Sequence, residues 1–251
     1  MKMPRLVAAA VAPVVVAVAL AACGLDSDQS AGGAEPPTTM SSEPAGTPPP
    51  STSASGGLPM GLHPVSKDIG TGVEINVAIE SPNWQGETNG GYMCWIECAD
   101  RGAAVIAFND RKYFPYQNPC RWSSTGPDAP VTTASELVAI LARQELRRPS
   151  IPEAITVDGH SGKKVILRMA EGDLTFKAGD FPACDDAHFA LFGVAGENPA
   201  RWSQEPGQIE EVWAVDVDGV IAVLIGLYYP ETPQEDVDEV RALLRSMTFD
   251  G

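Results

Sequence analysis

Basic residues are scarce in this 251-residue chain: 17 Lys and Arg stand against 33 Asp and Glu, and the formal charge of −16 gives no attraction for a phosphate backbone. Nucleic acid is therefore excluded as a partner. Histidine is also rare, with three residues, and none lies near Cys94 and Cys98, whose three-residue gap is the only zinc-like spacing among the five cysteines. No metal or cofactor is expected. A bilayer span of roughly 20 apolar residues is lacking too, because the apolar run from Leu6 to Ala22 is 17 residues long and contains Pro13. Aromatic residues, 7% overall, are absent from residues 1–63, whereas 24 Gly and 22 Pro exceed what a compact domain of this size usually carries. Part of the chain is not built to pack.

What is present begins with an address. Lys2 and Arg5 precede the apolar run, and the run ends in Leu20-Ala21-Ala22-Cys23-Gly24, small residues followed by cysteine. That ending resembles a bacterial lipobox. The resemblance implies a signal peptide over residues 1–22, cleaved so that Cys23 becomes the N-terminus and carries a diacylglycerol and palmitate. Losing Lys2 and Arg5 leaves 15 basic residues against 33 acidic ones, a formal charge of −18. Anionic headgroups repel such a chain, so a lipid must hold it at the membrane. Gly24 to His63 then contains seven Gly, seven Pro, seven Ser and four Thr with no Lys or Arg. Residues 23–63 accordingly read as a lipidated terminus and a disordered spacer that cannot offset its own backbone entropy.

Residues 64–251 hold every aromatic side chain and are enough for one domain that buries roughly 70% of its unfolded surface. Strands are expected at Val73–Ile79, Ala103–Phe108 and Lys163–Met169, the last entered from the turn Asp158–Gly162. Ile209–Val217 and Val220–Tyr229 flank Asp218-Gly219, a strong signal for a two-residue hairpin. One helix is expected from a Thr133 cap with Glu136 closing the box, an apolar stripe of Leu137, Ile140 and Leu141, and Arg143, Arg147 and Arg148 near its end before Pro149. A second is expected from a Thr232 cap with Pro233 as first residue and Val237, Val240 and Leu244 buried. The fold class is α+β, two helices packed on a mainly antiparallel sheet.

With Cys23 assigned to lipid, Cys94, Cys98, Cys120 and Cys184 suggest two disulfides in an oxidising compartment. Three connectivities are open. Cys94 and Cys98 lie about 13 Å apart along an extended strand, beyond the roughly 7 Å reach of a bridge, and pair only if the chain turns. The favoured arrangement is one bridge within the Cys94–Cys120 excursion and one from that excursion to Cys184. Cys184-Asp185-Asp186-Ala187-His188 is the densest group of reactive side chains, and it reads as a disulfide cysteine in a polar turn before a strand at Phe189–Phe192. No catalytic residue is assigned. Trp84, Trp95 and Trp122, in turn-rich sequence, are the candidate binding surface.

A resemblance rests on Ser135-Glu136-Leu137-Val138, Val157-Asp158-Gly159-His160-Ser161-Gly162-Lys163, the lone Cys184, Arg201-Trp202, Pro206-Gly207-Gln208, Trp213–Gly219 and the closing Ser246-Met247-Thr248-Phe249. The stretch from Thr132 to Phe249 resembles a domain recurrent in uncharacterised actinobacterial exported proteins and lipoproteins, similar to the PsbP-like fold. It implies a docking or accessory module with no catalytic residues to carry over. The expectation is a lipid-anchored protein on the extracytoplasmic face of the cell membrane, a non-enzymatic binding or accessory module whose partner is an envelope protein. The alternatives are a carrier of a lipid or small apolar ligand and an envelope hydrolase using Asp185, Asp186 and His188.

Overall fold

The computed structural model describes residues 58–66, 70–87, 92–95, 103–127, 129–169, 174–177, 180–194, 197–203 and 205–251, all within the unit Thr52–Gly251. Residues 1–57, which hold the expected leader, Cys23 and most of the expected spacer, lie outside the described residues, as do Cys98 and the side chains of Cys94 and Trp95. In chain order the strands are β1 (Gly61–Ser66), β2 (Glu74–Ile79), β3 (Trp84–Glu87), β4 (Tyr92–Trp95), β5 (Ala104–Asp110), β6 (Tyr113–Pro115), β7 (Arg147–Pro149), β8 (Glu153–Val157), β9 (His160–Met169), β10 (Phe189–Val194), β11 (Glu197–Ser203), β12 (Ile209–Val217), β13 (Val220–Tyr228) and β14 (Thr248–Asp250). The helices are α1 (Trp122–Thr125), α2 (Ala134–Leu141) and α3 (Gln234–Ser246).

The centre of the fold is the hairpin that the sequence announces. Asp218 and Gly219 have φ of 48° and 81°, the two positive values that a type I′ turn requires, and β12 and β13 pair in unbroken register from Val217↔Val220 to Ile209↔Tyr228. A second hairpin of the same kind turns at Asp158 and Gly159 and pairs Val157 with His160. The expected five-residue turn is thus only two residues long. His160, Ser161 and Gly162 already belong to β9.

The large sheet runs β3-β4-β5-β13-β12-β9-β7, with β8 also paired to β9, and every pairing is antiparallel. Its two faces are separate cores, because side chains alternate along each strand. On one face Trp213, Val215, Ala222 and Leu224 meet Val240, Leu243 and Leu244 of α3 and Ile75, Val77 and Ile79 of β2. On the other, Val212, Ala214, Ile221, Val223 and Ile225 meet Leu137, Val138 and Leu141 of α2 with Tyr113 and Phe192. Smaller sheets, β1-β2-β14 and β11-β10-β6, accompany the two helices. Every residue of β13 is buried, which is why its sequence is an uninterrupted apolar run.

Three expectations are corrected. First, β1 pairs Gly61 with Ile79 and His63 with Val77, so the end of the presumed spacer is part of the fold. It is an edge strand with Leu62 exposed, so it carries no apolar alternation to read. His63 Nε2 hydrogen-bonds the Pro59 carbonyl at 2.6 Å. Second, α2 stops at Leu141. Thr133 caps it by accepting the Glu136 amide at 3.2 Å, and Glu136 accepts the Thr132 amide at 3.3 Å. Beyond it Leu146 takes φ 60° and Arg147–Pro149 becomes a strand, so Arg147 and Arg148 do not extend the helix. Third, α3 begins one residue later than expected, with Pro233 at its N-cap position. The Thr232 hydroxyl accepts the Tyr229 amide at 2.9 Å and closes the preceding turn.

Gly226 sets how closely α3 approaches β13. A Cβ there would stand 2.6 Å from Val240 Cγ1 and 3.2 Å from Leu244 Cδ1. Gly226→Ala must displace the Val240 side chain or the helix that carries it, at a cost of about 1–3 kcal/mol for overpacking a dense core. Urea denaturation should show this as a lower midpoint, and an unchanged midpoint would contradict the packing.

Candidate functional site

Glu210 and Glu211 are neighbours in a strand that is otherwise largely apolar, and both are buried, at 0% and 1% exposure. Alternation sends their carboxylates to opposite faces of the sheet, so each core must supply its own partners. On the α2 face, Arg147 Nη1 reaches Glu210 Oε2 at 2.6 Å and Arg201 Nη2 reaches Oε1 at 2.9 Å, with side-chain exposures of 0%, 5% and 0% for Arg147, Arg201 and Glu210. Ser203 completes the cluster, accepting from Arg147 Nη2 at 2.8 Å and donating to Glu210 Oε2 at 3.1 Å. The Arg147 guanidinium also lies 4.9 Å from the Phe189 ring centroid. Burial alone would raise the Glu210 pKa, but the two guanidiniums outweigh it and hold the carboxyl below the ordinary glutamate range. For Arg147 burial wins over the attraction of Glu210, and its pKa is lowered.

On the α3 face, Glu211 accepts from Trp213 Nε1 at 3.1 Å, from the Tyr228 hydroxyl at 3.2 Å and from Arg241 Nε at 2.9 Å. Arg241 Nη2 donates in turn to the Tyr228 oxygen at 3.2 Å. This second cluster ties α3 to the hairpin. Its single arginine balances its single carboxylate.

The Cys184–His188 group has a different use. Cys120 and Cys184 form a disulfide with Cα atoms 4.4 Å apart, a bridge from the 94–120 excursion to Cys184 as expected. Beside it the Asp185 carboxylate accepts the amides of Ser124 and Ser123 at 2.8 and 3.0 Å and the Ser124 hydroxyl at 2.8 Å, with Arg121 Nη1 at 3.4 Å. The Ser124 amide is the first cause of its lowered pKa. Trp122 Nε1 donates to the Asp185 carbonyl at 2.9 Å, and the Asp185 amide to the Cys120 carbonyl at 2.9 Å. Disulfide and carboxylate together fasten α1 to the turn that leads into β10. Asp186 follows with φ 47° and is exposed, while His188 is half-buried.

The exposure expected of Trp84 and Trp122 is corrected, while the Trp95 side chain lies outside the described residues. Trp84 is fully buried and donates to Glu239 Oε1 at 2.9 Å, and Trp122, 5% exposed, packs with Tyr116 and Ala190. Each ring fills a core, and its indole N–H has the partner that a buried tryptophan needs. Sequence reasoning passed over Arg147, Arg201, Ser203, Glu210 and Glu211. The available signal was two adjacent carboxylates inside an apolar strand, which on alternation must each meet a cation.

Glu210→Gln leaves two buried guanidiniums without their counter-charge and should cost about 3–5 kcal/mol. The sign with pH follows from the lowered pKa: the contribution is full above the ordinary glutamate value of about 4.3 and is lost as pH falls through the lowered native value. Urea titrations of both proteins from pH 7 to pH 3 should therefore show the difference shrinking on the acid side. A pH-independent difference would count against an ionised Glu210.

No protein-family model matches the chain, and no curated protein matches it. Among solved structures, LpqN, involved in cell envelope biogenesis of Mycobacterium tuberculosis, is similar at 11% identity and a TM-score of 0.38, covering 76% of this chain and 92% of that one. The solution structure of cyanobacterial PsbP from Synechocystis sp. PCC 6803 is similar at 12% identity and 0.34, covering 76% and 93%. At these scores neither likeness carries a function to this chain.

Proposed function

We propose that the protein is a lipid-anchored, extracytoplasmic module of the cell envelope that binds or assists a partner and does no chemistry of its own. The observation that carries this reading is the Cys120–Cys184 disulfide, which belongs to an oxidising compartment, in a chain whose leader ends in Leu20-Ala21-Ala22-Cys23-Gly24. An acidic surface makes a lipid on Cys23 the means of attachment, with residues 24–57 as tether. The PsbP-like resemblance of the stretch from Thr132 to Phe249 belongs to the same reading. Against a hydrolase built on Asp185, Asp186 and His188 stands the use made of Asp185: its carboxylate serves the backbone of α1.

Cys23→Ala should move the protein from the membrane fraction to the medium or soluble fraction, and retention in the membrane would contradict the anchor. Peptide mapping without reductant should recover the segments around Cys120 and Cys184 joined, whereas free thiols at both positions in the exported protein would contradict the compartment. His188→Ala should leave cell-surface function unchanged. Loss of a hydrolytic activity in that variant, with the fold intact by circular dichroism, would instead establish the enzyme.

A further inference from the structure

Charge is spread unevenly along the chain. Residues 143–168 hold six Lys and Arg against three Asp and Glu, whereas the rest of the chain after the leader holds nine against 30. Of those six bases only Arg147 is buried. The segment builds β7, β8 and β9 at one end of the large sheet, and there Arg148 and Arg168 are direct cross-strand partners, both exposed. Like charges directly opposite each other repel. Among the described residues neither of them, nor the exposed Arg143, makes an ion pair. In a chain so rich in carboxylates, three bases left without one call for an anion from outside.

The same edge exposes apolar surface. Ile151 is 86% exposed and Leu146 40%, two of the four large apolar side chains exposed among the described residues. Ile151 follows Arg148 by three residues, at most roughly 10 Å of chain. Pro149 and Pro152 have no N–H, and that of Ser150 is spent on the Ile166 carbonyl at 2.8 Å, so this stretch offers an added strand almost no ladder. A partner here meets side chains, an aliphatic tip beside a row of bases.

We propose that this edge docks on an anionic lipid surface, with Arg148 and Arg168 against headgroup phosphates and Ile151 in the interface beside them. Phosphate oxygens accept the guanidinium forks, and an aliphatic side chain gains by leaving water at the same level. Docking rests on the anchored-module reading, which brings the domain to a membrane in the first place. The tether also favours a lipid surface over an acidic protein. Leu58 donates to the Trp84 carbonyl, so the chain leaves at the β3 end of the sheet, six strand steps or about 29 Å from β7. The 34 residues between Cys23 and Leu58 are long enough to let that far edge turn to the membrane. Anionic headgroups repel the chain as a whole, but at 0.1 M salt charges beyond about 10 Å are largely screened and the edge alone faces the surface. The patch orients a domain that the lipid already holds and is too small to hold it alone, so Cys23→Ala is still released.

The experiment is fluorescence of the full exported chain carrying Ile151→Trp, read against the unsubstituted chain. The vesicles are brominated phosphatidylcholine, alone or in equimolar mixture with phosphatidylglycerol, whose bromine quenches an indole that enters the interface. Extra quenching on the anionic vesicles, and little on the neutral ones, is expected. Arg148→Glu with Arg168→Glu should abolish it, and the milder Arg148→Gln with Arg168→Gln, which serves if the reversal does not fold, should remove most of it. Leu62→Trp, at a position 61% exposed in β1, should stay unquenched. No extra quenching on the anionic vesicles overturns the proposal and leaves the patch to an acidic protein. Equal quenching at positions 62 and 151, or quenching that survives the loss of both arginines, overturns it as well. Flotation of the unsubstituted chain with neutral vesicles reads the anchor by itself, so a failed anchor and a failed docking surface are told apart.

Discussion

Two carboxylates at successive positions of one central strand cannot share a partner, because the pleat turns Glu210 towards one core and Glu211 towards the other. Each buried charge is tolerable only where a cation and further donors meet it. Much of the architecture follows from that requirement. Glu210 draws in Arg147 from β7 and Arg201 and Ser203 from β11, and so fastens both strands to the central hairpin across the α2 face. Glu211 draws in Arg241 of α3 and Tyr228 of β13, and so fixes the helix that Gly226 allows close to the sheet. Apolar burial supplies most of the stabilisation, while the charged pairs add directional links between strands and helix.

What could be read in the sequence was local. The turn at Asp218-Gly219 was legible because two positive φ values leave few residue choices, and the α3 face because Val237, Val240 and Leu244 repeat at helical spacing. The Thr133 cap was legible for the same reason of short range. The end of α2 was not: Arg147 and Arg148 before Pro149 match the charge order of a helix C-terminus, and only the distant Glu210 explains why Arg147 turns inward as a strand. Trp84 and Trp122 sit in turn-rich sequence, which suggested exposure, but their partners, Glu239 and the Asp185 carbonyl, lie 155 and 63 residues away. Each misreading has one source. A buried polar group is interpretable only with its partner in view, and here the partners are remote in sequence.

The same remoteness explains why the use of Asp185 by distant backbone amides, and the buried charges of Glu210 and Glu211, were not legible in the sequence. Asp185 beside Cys184 is a splice between α1 and the approach to β10, and Phe189 at the start of β10 lies against the Arg147 guanidinium. Disulfide and carboxylate thus stand on the stretch whose Phe189 packs against the charged cluster. The Cys120–Cys184 disulfide covalently fastens α1 to the approach to β10.

The central claim is that Glu210 is ionised within the core and holds two guanidiniums there. Carbon-13 NMR of the side-chain carboxyl groups, with Glu210 identified by comparison with Glu210→Gln, measures its titration directly. The account predicts that the resonance stays at its ionised position as pH falls through the ordinary glutamate value of about 4.3, moving only at lower pH or with unfolding. A carboxyl that titrates at or above that value in the folded protein would contradict it.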